Sequence, residues 1–230
     1  MKCLTILISL FGIRLLGQSL TSSFTNSATT TIPDGNPVGV IEQFVVSGVS
    51  GGITNVTVQL DITGGFNGDL YAYLVDPAGD LAVLLNRVGV TSGNPFGYSD
   101  AGFNITLTAA GNDIHTYQTV LNPGGGQLTG TWAVDGRNIN PQSSPSLFGN
   151  ASTEQGLNIY QGLDGGSLNG TWTLFIADLV AGGGNPTLQN AVLSILTVPE
   201  PSSISLVVAG GLLMWITIRK KMFGISKRIS

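Results

Sequence analysis

Few residues in this chain could do chemistry, and they can be counted. There is one histidine, His115, and one cysteine, Cys3. A Ser-His-Asp hydrolase needs a histidine as its base. His115 would have to serve alone, from within Asn112-Asp113-Ile114-His115-Thr116, with no Gly-x-Ser-x-Gly or Gly-Thr-Ser-Met context expected to accompany it. The 230 residues also leave no room for a separate subtilisin-like catalytic domain. No catalytic residue is expected. Carboxylates are more plentiful, at Asp69, Asp76, Asp80, Asp100, Asp113, Asp135, Asp164 and Asp178. Such hard oxygen ligands suit calcium, yet no Asp-x-Asp/Asn-x-Asp/Asn-Gly loop and no Gly-Gly-x-Gly-x-Asp repeat organises them. Aspartate in turns more often caps the local backbone, so no bound metal is expected; calcium, if present, would choose Asp69 and Asp178. Trp132 and Trp172 could stack on sugars, but their alternation with threonine assigns them to a core.

These residues lie between two apolar ends. Leu4 to Leu16 follows Lys2 and leads into Gly17-Gln18-Ser19-Leu20-Thr21-Ser22-Ser23. A short apolar core behind one positive charge, followed by small polar residues, reads as a secretory signal over residues 1–23. Arg14 within it keeps a retained anchor open. Removing the segment would remove Cys3, leaving a core that holds without disulfides. At the other end an apolar run over residues 204–218 is closed by Arg219-Lys220-Lys221. Counted from Ser202 it makes a helix of about 25 Å, short for a bilayer core of about 30 Å, a gap that snorkelling and local thinning can close. The expectation is a transmembrane helix over 204–218, a basic cytoplasmic tail over 219–230, and the middle outside the cytoplasm.

Charge divides the same way. Arg87 and Arg137 are the only basic residues in 24–197, against twelve acidic ones, so this part carries a net charge of −10. Such a surface repels nucleic acid, which is excluded as a partner.

The middle reads as strands. Val56, Val58, Leu60 and Ile62 alternate with Thr57, Gln59 and Asp61, the period of a half-buried strand. Asp69 to Val75 is apolar on both faces and is expected to be fully covered. Asp76-Pro77-Ala78-Gly79 has the residues of a reverse turn. Further strands are expected near 38–46, 81–85, 103–107, 132–134, 172–179 and 188–196, while Phe24 to Thr31 reads as an unpacked lead-in. The fold class is all-β, a jelly-roll sandwich of about eight strands. Leu128-Thr-Gly-Thr-Trp132 and Leu168-Asn-Gly-Thr-Trp172 echo one another, each a glycine turn feeding a tryptophan inward.

Four stretches carry a family resemblance. Ile53 to Leu60, Gly68-Asp69-Leu70 with Leu74-Val75-Asp76-Pro77-Ala78-Gly79, Asn169-Gly170-Thr171-Trp172-Thr173-Leu174 with Ala177-Asp178, and Leu188 to Ile195 resemble the P domain (Homo B domain) that follows the catalytic domain of kexin-like convertases. The likeness covers about residues 32–197 and implies an eight-stranded jelly roll. Asn190-Ala191-Val192 replaces an aromatic of the closing strand, and the insert Gly124 to Tyr160 is longer than in convertases.

Pro199-Glu200-Pro201, placed directly before the span and its basic stop, resembles the PEP-CTERM sorting signal. Two prolines deny this segment a helix, so it can enter a membrane-embedded peptidase extended. The resemblance implies that Pro199, Glu200 and Pro201 are substrate residues for an exosortase-type partner. The expected role is a non-catalytic cell-surface or matrix module over 24–197, joined to the membrane through 198–203 and binding an extracellular polysaccharide or surface protein. The alternative is an accessory domain to a separate subtilisin-like endopeptidase.

Overall fold

The computed structural model describes residues 18–198 and Trp215. The apolar part of the signal segment, Pro199-Glu200-Pro201, the 204–218 span and Arg219-Lys220-Lys221 lie outside the described residues, Trp215 excepted. Among the described residues no helix is long and apolar enough to cross a membrane.

Ser19–Val198 form one unit built of ten strands in two sheets. In chain order these are β1 (Leu20–Asn26), β2 (Thr30–Thr31), β3 (Asn36–Val46), β4 (Gly52–Thr63), β5 (Leu70–Val75), β6 (Leu81–Asn86), β7 (Gly102–Asp113), β8 (Leu128–Ala133), β9 (Gly170–Asp178) and β10 (Thr187–Val198). One sheet runs β1-β10-β4-β7-β8, with β2 also on β10; the other runs β3-β9-β5-β6. The expected two-sheet β-sandwich is present. One departure from an all-antiparallel roll is the parallel pairing of β7 with β8. Its connection through residues 114–127 has the length that a parallel crossover needs.

Alternation decides which side chains fill the space between the sheets. Val56, Val58, Leu60 and Ile62 of β4 point inward and are buried, as are Trp172, Leu174 and Ile176 of β9. The two echoed motifs behave alike. Trp132 donates its indole N–H to the Thr129 carbonyl and Trp172 to that of Leu168, and both rings are buried. Tryptophan as a sugar platform is thereby ruled out at both positions.

Two expectations need correction. The lead-in is packed: β1 pairs with β10 over seven residues, so the fold takes in residues 20–23, placed above in the export segment. It shows no apolar alternation because it is an edge strand, held by ladder hydrogen bonds. Side chains tie it further, since Asn26 Nδ2 and Thr30 Oγ1 both donate to the Glu42 carboxylate of β3. Strand β5 is covered on one face only. Tyr71, Tyr73 and Val75 look outward and are half-buried, Tyr73 stacked on Phe175 at 4.7 Å between ring centres. The rings cover one another in place of a second layer.

Strand β6 is an edge that the sheet does not leave open. The loop after β8 lies along it, with Asp135 N bonded to Leu84 O, Gly136 N to Val83 O and Val83 N to Gln155 O. This covers backbone groups that would otherwise invite edge pairing.

Candidate functional site

Two polar centres lie within the sandwich unit, and they differ in whether their charges are matched. The first surrounds His115. A 3-10 turn over Ile114–Thr119 begins where the Asp113 carboxylate accepts from His115 N at 2.8 Å. This turn carries the imidazole inward, 2.7 Å from Asp135 Oδ2 through Nδ1 and 3.0 Å from the Val90 carbonyl oxygen through Nε2. The other oxygen of Asp135 takes Arg137 Nη1 at 3.1 Å, and Arg137 Nη2 reaches Asp113 Oδ2 at 3.0 Å. Burial works against the Arg137 charge, but Asp135 and Asp113 outweigh it and hold the pKa above its ordinary value. Phe148 stacks beside the imidazole and accepts Arg137 Nε with its carbonyl. Both ring nitrogens of the sole histidine face internal acceptors and its side chain is 3% exposed, so the imidazole is closed off from solvent. The arrangement ties the loop after β8 to β6 and β7; it is architecture.

One serine motif escaped the sequence reading. Gly48-Val49-Ser50-Gly51-Gly52 fits Gly-x-Ser-x-Gly. The structure places it between β3 and β4, whereas a nucleophile elbow needs a strand running into a helix. His115 bonds Asp135 and the Val90 carbonyl and not Ser50.

The second centre is a cleft of about 190 Å³, lined among others by Phe66, Asp69, Phe96, Tyr98, Val180 and Ala181. Its floor is the 3-10 turn over Asn67–Asp69, which enters β5. Backbone bonds fix this turn to the facing loop: Asn67 N to Asp100 O and Gly68 N to Tyr98 O. The Asn67 side chain anchors it inward, accepting from Gly102 N at 2.8 Å and donating to the Tyr117 hydroxyl, which donates to Asp100 Oδ2. Glycine is required at the crossing. A Cβ on Gly68 would collide with the Phe96 carbonyl oxygen and lie 2.7 Å from Gly97 Cα. Gly68→Ala is therefore expected to destabilise the domain by roughly 1–3 kcal/mol, the usual cost of overpacking, measurable as a lowered Tm.

Asp69 and Asp178 meet here, because β5 and β9 are paired with Leu70 opposite Asp178. Both carboxyls are buried, at 3% and 0% exposure. Asp178 Oδ1 accepts from Val180 N, while Oδ2 has no hydrogen-bond partner among the described residues. Burial first, then the Asp178 charge, push Asp69 up to about 7 against a weaker pull from Arg87. Burial likewise raises Asp178 to about 6, with the N–H groups of Val180 and Gly35 pulling it down. Of the other aspartates singled out in the sequence, Asp76, Asp100 and Asp164 accept donors from the protein, although Asp76 Oδ2 has no partner among the described residues. Asp76 caps three backbone N–H groups, Asp100 receives Tyr117, Gln118 and Gly125, and Asp164 accepts from Gly166 N. Among the described residues no three carboxylate, histidine or cysteine side chains stand together as a metal-holding group. The Asp69–Asp178 pair alone falls short of the six to eight oxygens calcium takes, and the cleft beside it is walled largely by carbon.

The fold can be set beside known proteins. It is similar to the serine protease of Aeromonas sobria. In the crystal structure of that protease with its chaperone ORF2, the match has a TM-score of 0.47 at 14% identity, covering 80% of this chain and 28% of that one. Against the protease crystallised by itself the TM-score is 0.43 at 15% identity, covering 78% and 27%. This chain thus spans little more than a quarter of either neighbour's length. No family model and no curated protein sequence matches it.

Sequence reading singled out Asp69 and Asp178 separately, as strand-end aspartates, and missed the aromatic side of the cleft. Phe96 and Tyr98 sit in an irregular loop with no period to mark them. The available signal was compositional: two aromatics within Asn94-Pro95-Phe96-Gly97-Tyr98, in a stretch that had no strand to fill.

Proposed function

We propose that residues 20–198 form a non-catalytic binding module of an exported, membrane-tethered protein, acting at the cell surface or in the extracellular matrix. The observation that carries this reading is the commitment of His115, the sole histidine, to internal hydrogen bonds on both nitrogens. The charge of −10 on the middle of the chain suits a partner that is basic or neutral. Export and tethering rest on the sequence of the two ends: a signal segment before the domain, and after it Pro199-Glu200-Pro201, an apolar span and Arg219-Lys220-Lys221, in the layout of the PEP-CTERM signal. An exosortase-type peptidase is the processing partner in this reading. An accessory role beside a separate subtilisin-like endopeptidase is the second reading, favoured by the Gly68-Asp69-Leu70 and Asn169-to-Asp178 motifs of the P domain.

Mass spectrometry of the protein recovered from cells tests the proposal at both ends. Because β1 begins at Leu20 and pairs along its whole length, removal of a signal beyond Leu20 would cut into the sheet. Gly17-Gln18-Ser19 offers the small-x-small pattern a signal peptidase accepts, so the expected mature N-terminus is Leu20. A chain intact from Met1 to Ser230 and recovered from the cytosol would overturn export and tethering together. Co-purification of a subtilisin-like enzyme with the solubilised full chain would place the second reading ahead of the first.

A further inference from the structure

The cleft between the Asn67–Asp69 turn and the loop carrying Phe96 and Tyr98 is built with a charge it does not match. Asp69 is 3% exposed, and among the described residues its side-chain oxygens accept no hydrogen bond. Arg87 offsets part of this charge from a distance, but its N–H groups donate to the carbonyl oxygens of Gly68, Pro95 and Pro141 and not to the Asp69 carboxylate. Behind Asp69 stands Asp178, fully buried with Oδ2 unpartnered, and Asp34 adds a third negative charge to the neighbourhood. A buried carboxylate is neutralised by a proton, a cation or donors. Asp69 keeps its proton up to about pH 7; above that a partner from outside can meet the charge, and Asp69, which lines the cleft, is where it can enter.

We propose that this cleft receives a protonated alkyl-ammonium or guanidinium group, presented by a Lys or Arg side chain of a partner protein, with Asp69 as counter-ion and Phe66, Phe96 and Tyr98 as its collar. The shape selects the chemistry. A volume of about 190 Å³ admits the end of a long side chain. A hard metal ion would find few oxygens on walls made largely of ring and aliphatic carbon. An organic cation gains on both counts, because its charge meets the carboxylate while its flank lies against aromatic faces. Phe96 and Phe66 are 71% and 39% exposed at the mouth, where the methylene stem of a bound side chain would cover them. The acidic surplus of the domain draws such a partner in. Bound cation and bound proton compete for Asp69, whose carboxyl is raised to about 7, so occupancy rises with pH. That the cation belongs to a protein rests on the binding-module reading; the preference of the cleft does not.

The test is thermal denaturation and titration of the detergent-solubilised full chain with n-butylammonium, Nα-acetyl-lysine methylamide and the arginine equivalent. Neutral n-butanol and calcium chloride at matched ionic strength serve as controls. At pH 8 the cations are expected to raise Tm while butanol and calcium do not, with affinity falling at least about tenfold from pH 8 to 5.5. The lysine and arginine probes rank the two sources. Asp69→Asn and, independently, Phe96→Ala are each expected to weaken cation binding; Phe96 is exposed, so its loss leaves the fold intact. Absence of a cation effect, an equal effect in Asp69→Asn, or an Asp69-dependent response to calcium exceeding that to the amines would overturn the assignment. Peptidase activity in the purified chain would sink the non-catalytic reading and leave the cleft's preference standing.

Discussion

Asp135→Ala is expected to cost this domain more stability than any other single change of charge. Asp135 is buried and holds four donors at once: His115 Nδ1 and Asn86 N on one oxygen, Arg137 N and Nη1 on the other. Removing it leaves an arginine in the interior with half its counter-charge and an imidazole without an acceptor. Breaking a buried ion pair from one side costs about 3–5 kcal/mol. For a unit of this size each kcal/mol moves Tm by roughly 2–4 °C, so a fall of about 10 °C or more is expected in thermal denaturation followed by circular dichroism. Asp113→Asn supplies the contrast. It touches the same arginine, but its side chain is 36% exposed, water can replace much of what is lost, and a drop of about 1 kcal/mol or less is expected. Equal effects of the two variants would mean that the network is wetter than its burial implies.

Val56 to Ile62 and Trp172 to Ile176 are legible because alternation in a half-buried strand is a local consequence of which face meets the core. The Asp76 turn is legible for the same reason, its chemistry being contained in four residues. Leu20 to Asn26 is not, since an edge strand rich in Ser and Thr owes its place to β10, 165 or more residues away, and leaves no apolar period behind. Tyr71 and Tyr73 mislead for a related reason: aromatic residues signal burial, yet a cluster of rings can shelter itself on an open face.

The candidate site divides along the same line. His115 could be weighed as a base from its sequence, but Asp135, Arg137 and the Val90 carbonyl, which commit it, are brought together by the loop folding back over β6. The cleft is more dispersed still. Asp69 and Asp178 become neighbours only through the pairing of β5 with β9, and Phe96 joins them only because Gly68 and Gly97 let two backbones approach. Residue types were readable; the adjacency that makes them a site was a property of topology.

Adjacency of two buried carboxyls has a consequence in pH that runs opposite to ordinary acid denaturation. In the unfolded chain each aspartate titrates near 3.9, while in the fold Asp69 is raised to about 7 and Asp178 to about 6. Desolvation is the leading cause for both, reinforced for Asp69 by Asp178 and Asp34 and opposed by Arg87. Across this window the folded state holds protons that the unfolded state has released, so stability falls as pH rises. The contribution is complete below about 4 and gone above about 7. Tm is therefore expected to be several degrees lower at pH 8 than at pH 5. Asp69→Asn, neutral throughout, should flatten that slope and raise Tm at pH 8, isolating this carboxyl from every other titrating group. The same carboxylate, ionised at pH 8 and only partly offset by Arg87, is what an entering ammonium group would neutralise, so saturating n-butylammonium should restore in the wild type what Asp69→Asn achieves by substitution. A slope unchanged in Asp69→Asn would mean that Asp69 is already matched within the fold, and the cleft would then have no unmet charge to offer.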